Sequence, residues 1–161
     1  MSFERALATV LLHEGGYVND KLDCGGATNE GITQKVYDAW RRSHVLSTRS
    51  VAEISNTEVA AIYLTQYWNP AWCEKLPEAL GIVHFDAAVN HGVRRAIKLL
   101  QLAVGASDDG VMGRETMKSL ETALAMTDED AIIKAYLDER SDFYDEIVER
   151  DPTQVKFIAG W

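Results

Sequence analysis

The chain has 161 residues, enough to bury a sizeable core in one or two small domains. Its hydrophobic content of 47% and charged content of 25% are ordinary for a globular protein, and no apolar run is long enough to span a bilayer. The net charge of −9 argues against a nucleic-acid partner, because phosphate contacts need a basic surface, and it disfavours simple electrostatic adhesion to an anionic wall or membrane.

Phe3, Leu7, Val10 and Leu11 recur at i, i+4, i+7 and i+8, one face of an amphipathic helix. Gly15-Gly16 end it, since glycine is favoured just past a helix C-terminus. Glu14 therefore falls in the last turn, beside unpaired carbonyls and the negative end of the helix dipole. That field and partial burial both disfavour the charged form. A carboxyl group that keeps its proton near neutral pH is what a general acid requires. A solvated Glu at a frayed helix end is the other reading of the same spacing.

Residues 15 to 31 hold Gly15, Gly16, Gly25, Gly26 and Gly31 together with Asn19, Asp20, Asp23 and Asn29, which predicts a loop or short hairpin. Asp23 follows Glu14 across this turn. A second carboxylate there suits glycoside hydrolysis, where it stabilises positive charge on the sugar or activates water. On the spacing alone, the reading of Asp23 as an Asx-turn residue capping its own loop comes first. Thr28 and Thr33 each carry a hydroxyl able to position water, and Thr33 also stands where the next helix needs an N-cap.

Ile32, Val36, Ala39 and Trp40 predict a helix from about 33 to 43, followed by a polar connection over 44 to 54 with room for one short helical turn. Ser55 and Glu58 have capping-box spacing and open a helix to about Trp68, with Val59, Ile62 and Tyr63 buried and an end near Asn69-Pro70. Tyr63, Tyr67, Trp68 and Trp72 are spaced for one or two faces. Sugar C–H faces stack on such rings, so Tyr67 and Trp68 are candidates for substrate contact, against core packing as the alternative.

Pro77 to Gly92 predicts another helix through Leu80, Val83, His84, Ala87 and Ala88. His84 and His91 share a face, but two His without a third ligand at metal spacing do not make a metal site, and no metal or other cofactor is expected. The segment Asp109-Gly110-Val111-Met112-Gly113 reads as a tight turn between two helices. Thr127 then caps a long helix to about Glu149, with Ile132, Ile133, Tyr136, Leu137, Phe143 and Tyr144 facing inward and a last helical turn docking Trp161. The acids Asp128-Glu129-Asp130 and those from Asp138 to Asp151 read as a solvated face. Cys24 and Cys73 are too few for a disulfide framework and read as free thiols.

The segment Leu12 to Gln34 resembles the opening motif of the phage-type N-acetylmuramidases, glycoside hydrolase family 108. That motif is a Glu-Gly-Gly-Tyr run, then Asn-Asp, Gly-Gly-Ala-Thr-Asn and Gly-Ile-Thr, here Glu14 to Tyr17, Asn19-Asp20, Gly25 to Asn29 and Gly31 to Thr33. The run Phe85 to Gly92 looks like a further family feature, and Leu99 to Thr116 resembles the predicted peptidoglycan-binding segment that accompanies it. The resemblance implies a mainly α, lysozyme-like helical bundle with a small Gly-rich loop or hairpin near the N-terminus. It divides the chain into a muramidase region over 1–92 and a helical wall-binding region over 93–161, packed as one compact unit. It implies cleavage of the β-1,4 bond between N-acetylmuramic acid and N-acetylglucosamine of bacterial peptidoglycan. Glu14 takes the catalytic role, with Asp23 and Thr28 as partners. Tyr17, Thr33 and Asn90 join Tyr67 and Trp68 as candidate substrate contacts, with Asp86 a secondary candidate against a buried, hydrogen-bonded role inside the bundle.

The N-terminus lacks the basic region, apolar core and cleavage site of a secretory signal. An enzyme of this kind is then made in the cytoplasm and reaches the wall with a holin or a dedicated exporter, with no stable membrane insertion of its own. Two other activities fit the same residues. One is lytic transglycosylation, in which a single Glu suffices. The other is a non-catalytic wall-binding or secretion-accessory role, which an intact Glu14 within an intact motif disfavours.

Overall fold

The computed structural model describes residues 3–12 and 27–155. Glu14, Tyr17, Asp23, Cys24 and Trp161 lie outside the described residues. The fold is mainly α, with seven helices and a two-stranded hairpin among the described residues, and it divides into two compact units, Met1–Pro70 and Ala71–Trp161. No helix among the described residues is long and apolar enough to cross a membrane.

In the first unit, helix α1 (Phe3–Leu11) buries Ala6, Leu7 and Val10, and Phe3 sets its ring edge against Trp68 at 5.5 Å between centroids. Strands β1 (Thr28–Asn29) and β2 (Ile32–Thr33) pair antiparallel through a two-residue turn, Glu30-Gly31, with φ of 51° and 71°. Two positive φ angles make the turn that matches strand twist, and glycine takes the second without strain. Thr33 caps helix α2 (Gln34–Ser43): its hydroxyl accepts from the backbone N–H of Val36. The connection carries one 3-10 turn, Val51–Glu53. The Ser55–Glu58 capping box forms in full and opens helix α3 (Asn56–Tyr63).

The backbone continues past Tyr63 as a wide π turn, Leu64–Trp68, closed by Asn69 N–H donating to the carbonyl of Leu64. The i+5 bond changes which residue follows Tyr63 on the inner face. Ordinary helical spacing puts Tyr67 there; the wide turn puts Trp68 there instead.

A single carboxylate organises the same unit. Glu58 accepts from the Tyr37 hydroxyl at 3.0 Å, from the Ser55 N–H and hydroxyl, and from both Arg41 and Arg49. Burial alone would raise its pKa. The Ser55 and Tyr37 hydrogen bonds and the Arg49 charge outweigh burial and hold it at about 2. Arg41 also donates to the carbonyl of Ser47, so the connection is bound back onto α2 and α3.

In the second unit a 3-10 turn, Cys73–Lys75, leads into helix α4 (Glu78–His91), which packs on helices α5 (Val93–Ala103) and α7 (Glu129–Arg150). Leu80, Gly81, His84, Phe85, Ala87 and Ala88 of α4 are all buried. A helix apolar on several sides belongs at the centre of its unit. Cys73 is a free, buried thiol, and burial pushes its pKa up to about 12, which leaves it inert.

Between α5 and helix α6 (Arg114–Met126) the turn is knotted around Gln101, which is 1% exposed. Its amide donates to Asp109 Oδ1 at 2.8 Å and Thr116 Oγ1 at 3.0 Å and accepts from Gly110 N–H at 2.9 Å. Gly110 has φ of 72°, and a Cβ there would sit 2.7 Å from Cγ of Arg94.

Two expectations for the last helix are corrected. Asp128, not Thr127, is the N-cap of α7, its carboxylate accepting from Ala131 N–H, while Thr127 closes α6. Leu137 is 45% exposed, and Arg140 takes the inward position. Ile133, Phe143 and Tyr144 are half-buried.

Gly110→Ala is expected to lower unfolding free energy by about 2 to 3 kcal/mol, since left-handed strain and the Arg94 clash add. Gly105→Ala, at φ of 67° with open space around it, should cost only about 1 kcal/mol. Urea denaturation of the two variants side by side checks the difference.

Candidate active site

The hairpin brings two of the candidate residues together. Thr28 and Thr33 are direct partners across β1 and β2, so they share one face of the ribbon. Both are half-buried. The Thr33 hydroxyl accepts from Val36 N–H and keeps its own proton to donate to a ligand.

The hairpin is held on three sides. Gln34 N–H donates to the carbonyl of Ala27 at 2.8 Å, the Asn29 amide donates to the carbonyl of Val51 at 3.2 Å, and the Tyr63 hydroxyl donates to the carbonyl of Glu30 at 2.9 Å. Gln34 in turn accepts from Val51 N–H at 2.7 Å and donates to the carbonyl of Arg49. The ribbon that follows the glycine-rich segment is thus fixed to α2, α3 and the 3-10 turn by its own backbone and amides.

Of the two aromatic candidates, Tyr67 is half-buried with its ring 5.6 Å from that of Tyr63. Trp68 is a correction. At 1% exposed and packed on Phe3 it is core, because the π turn rotates it inward, and its ring faces are closed to a sugar.

Asn90 lies exposed on α4, in the second unit. Its amide nitrogen donates to the carbonyl of Asp86 at 2.9 Å and to Asp86 Oδ1 at 3.1 Å, leaving the side-chain oxygen toward which a ligand N–H or O–H can donate. Asp86 Oδ2 accepts from Arg140 at 2.6 Å. The Arg140 Nε–H is shared between the Tyr144 hydroxyl at 2.9 Å and His91 Nε2 at 3.2 Å. Asn90 is therefore oriented by Asp86, and Asp86 by a guanidinium that only the last helix supplies.

Arg140 was missed by sequence reasoning. Its signal was present, since it falls four residues from both Tyr136 and Tyr144 on the inward face of α7.

Neither histidine is placed as a metal ligand. Among the described residues no group of three His, Cys, Asp or Glu side chains is gathered to hold a metal ion. His84 is fully buried, and burial lowers its pKa to about 4. The neutral ring donates through Nε2 to the carbonyl of Ala71 at 3.2 Å, and Nδ1 accepts at 3.1 Å from the Tyr136 hydroxyl. The same hydroxyl also faces the carbonyl of Ala96 at 3.2 Å, so one proton serves two acceptors. Burial and the Arg140 charge likewise lower His91 to about 4.

Trp72 has φ of 56° and ψ of 30°, left-handed backbone that costs a bulky residue about 1 to 2 kcal/mol. It is 41% exposed. An open groove elsewhere in the second unit is lined by Ala103, Gly105, Glu115, Lys118, Thr122 and Met126.

The family model described as glycosyl hydrolase 108 matches residues 7–92, and that described as predicted peptidoglycan domain matches residues 95–161. Among solved structures, Brucella abortus SagA is 33% identical, with a TM-score of 0.79 over 99% of this chain and 86% of that one. No curated protein matches the chain.

The histidines give a pH prediction. Both hold a folded pKa near 4 against an unfolded value near 6.5, so the folded state resists the proton and loses stability as pH falls from about 6.5 to 4. For His84 the loss is on the order of 3 kcal/mol. Glu58, held near 2 against about 4.5, should add its own loss only below about pH 4.5. Urea unfolding at half-unit steps from pH 7.5 to 3.5 should show decline beginning above pH 5; a flat profile down to pH 5 would contradict it.

Proposed function

Because the chain belongs to the glycosyl hydrolase 108 family, we propose that it hydrolyses the β-1,4 bond between N-acetylmuramic acid and N-acetylglucosamine in peptidoglycan. Residues 1–92 act as the muramidase region and 93–161 as the wall-binding region. The observation that carries this reading is the family match, which runs through Glu14 and Asp23 and takes in the Thr28–Thr33 hairpin.

Glu14 donates its proton to the glycosidic oxygen as the bond to the anomeric carbon breaks, and the leaving sugar departs as an alcohol. Positive charge develops on the remaining ring, and the Asp23 carboxylate stabilises it or takes a proton from the attacking water. Thr28, on the ribbon face it shares with Thr33, positions that water. The Asn90 side-chain oxygen, fixed through Asp86 and Arg140, accepts from an N-acetyl N–H or a sugar hydroxyl. Tyr17 and Tyr67 contribute further substrate contact. The bond broken lies in the cell wall, so that is where the protein acts, reached through a holin or a dedicated exporter.

The test is digestion of purified peptidoglycan with products resolved by mass spectrometry. Wild type should release reducing muramic-acid ends. Glu14→Gln should fold normally and lose at least about a hundredfold in turnover, the usual scale of a missing general acid. Asp23→Asn should lower turnover with glycan binding near wild type. Anhydro ends would move the mechanism to transglycosylation. Absence of products from walls of several bacteria would leave the binding or accessory role.

A further inference from the structure

We propose that Trp72 is a sugar-stacking platform for the glycan strand, an inference that rests on the peptidoglycan reading above. The side chain combines two features that seldom occur together. Its backbone is left-handed, where glycine or asparagine is the usual choice, and this large residue is 41% exposed. A bulky residue normally tolerates that conformation to bury itself. Trp72 accepts the strain and is still exposed, and its side chain makes no hydrogen bond or ring contact to another described residue.

The neighbours explain why the strain persists. Ala71 and Cys73 on either side are both fully buried. The carbonyl of Ala71 is held by Nε2 of His84, and the carbonyl of Trp72 itself accepts from Lys75 N–H at 2.9 Å. The backbone is therefore clamped before and after the ring and cannot relax without breaking a bond in the core. Local strain kept in place by its surroundings marks a position that serves something other than stability.

Stacking suits the rest of the molecule. At a net charge of −9 the protein gains nothing from the carboxylates of an anionic wall. A neutral contact suits that balance. An indole face offers dispersion contact to sugar C–H groups, and its N–H can donate to an N-acetyl carbonyl. The clamp fixes the backbone that presents the ring, so little backbone freedom is lost when the sugar arrives.

The experiment uses the full-length protein and four forms: wild type, Trp72→Phe, Trp72→Ala and Trp72→Gly. Co-sedimentation with purified peptidoglycan gives binding, lysis kinetics give KM and kcat, and thermal unfolding gives stability. Both Ala and Gly variants should bind roughly two- to tenfold more weakly, with KM raised and kcat little changed, and Phe should recover part of the loss. Trp72→Gly should melt about 2 to 4 °C above Trp72→Ala, because only glycine relieves the left-handed strain. Binding and KM of both variants within twofold of wild type would overturn the proposal and make the ring packing alone. Wild type that neither sediments with peptidoglycan nor cleaves it would overturn the underlying functional reading instead.

Discussion

One buried imidazole sets the terms for the second unit. His84 sits in the middle of a helix with few polar groups, fully out of water, so it must be neutral and both ring nitrogens must be bonded. The partners that meet this demand come from three different places: the carbonyl of Ala71 before α4, the hydroxyl of Tyr136 on α7, and through that hydroxyl the carbonyl of Ala96 on α5. A single ring thereby fixes the spacing of three helices and the turn that carries Trp72. That bond is one of those that hold the turn in a conformation unfavourable on its own.

The first unit meets the same requirement with the opposite charge state. Glu58 stays ionised because two guanidinium groups, a phenol and its own helix N-terminus all point at it. Its reach extends past α3. Arg41 and Arg49 hold the polar connection, the connection presents the carbonyl of Val51 to Asn29, and Asn29 lies on the hairpin that pairs Thr28 with Thr33. The geometry of the ribbon that pairs Thr28 with Thr33 therefore depends on the Glu58 carboxylate at the start of α3.

Local signals were legible wherever one short stretch carries the whole cause. The capping box at Ser55–Glu58, the Thr33 cap, the hairpin and the Asp109-Gly110 turn each follow from residues a few positions apart. Errors arose where the cause was not local. Aromatic chemistry makes Trp68 a candidate for sugar stacking as readily as for the core; the π turn shifts the register by one residue and buries it against Phe3. Leu137 was placed inward on apolarity, yet the inward position belongs to Arg140, whose stem packs while its head finds Asp86.

The amino-acid sequence by itself determined the helical character, the element order, the family, and the motif that holds Glu14, Asp23 and Thr28, because propensity, capping and motif chemistry are properties of neighbouring residues. Only the tertiary structure decided which buried groups carry charge, which aromatic rings face water, and that Arg140 orients Asn90 from 50 positions away along the chain (140 − 90 = 50). The physical reason is that ionisation and exposure depend on what packs against a side chain, and those partners arrive from segments that no local pattern names.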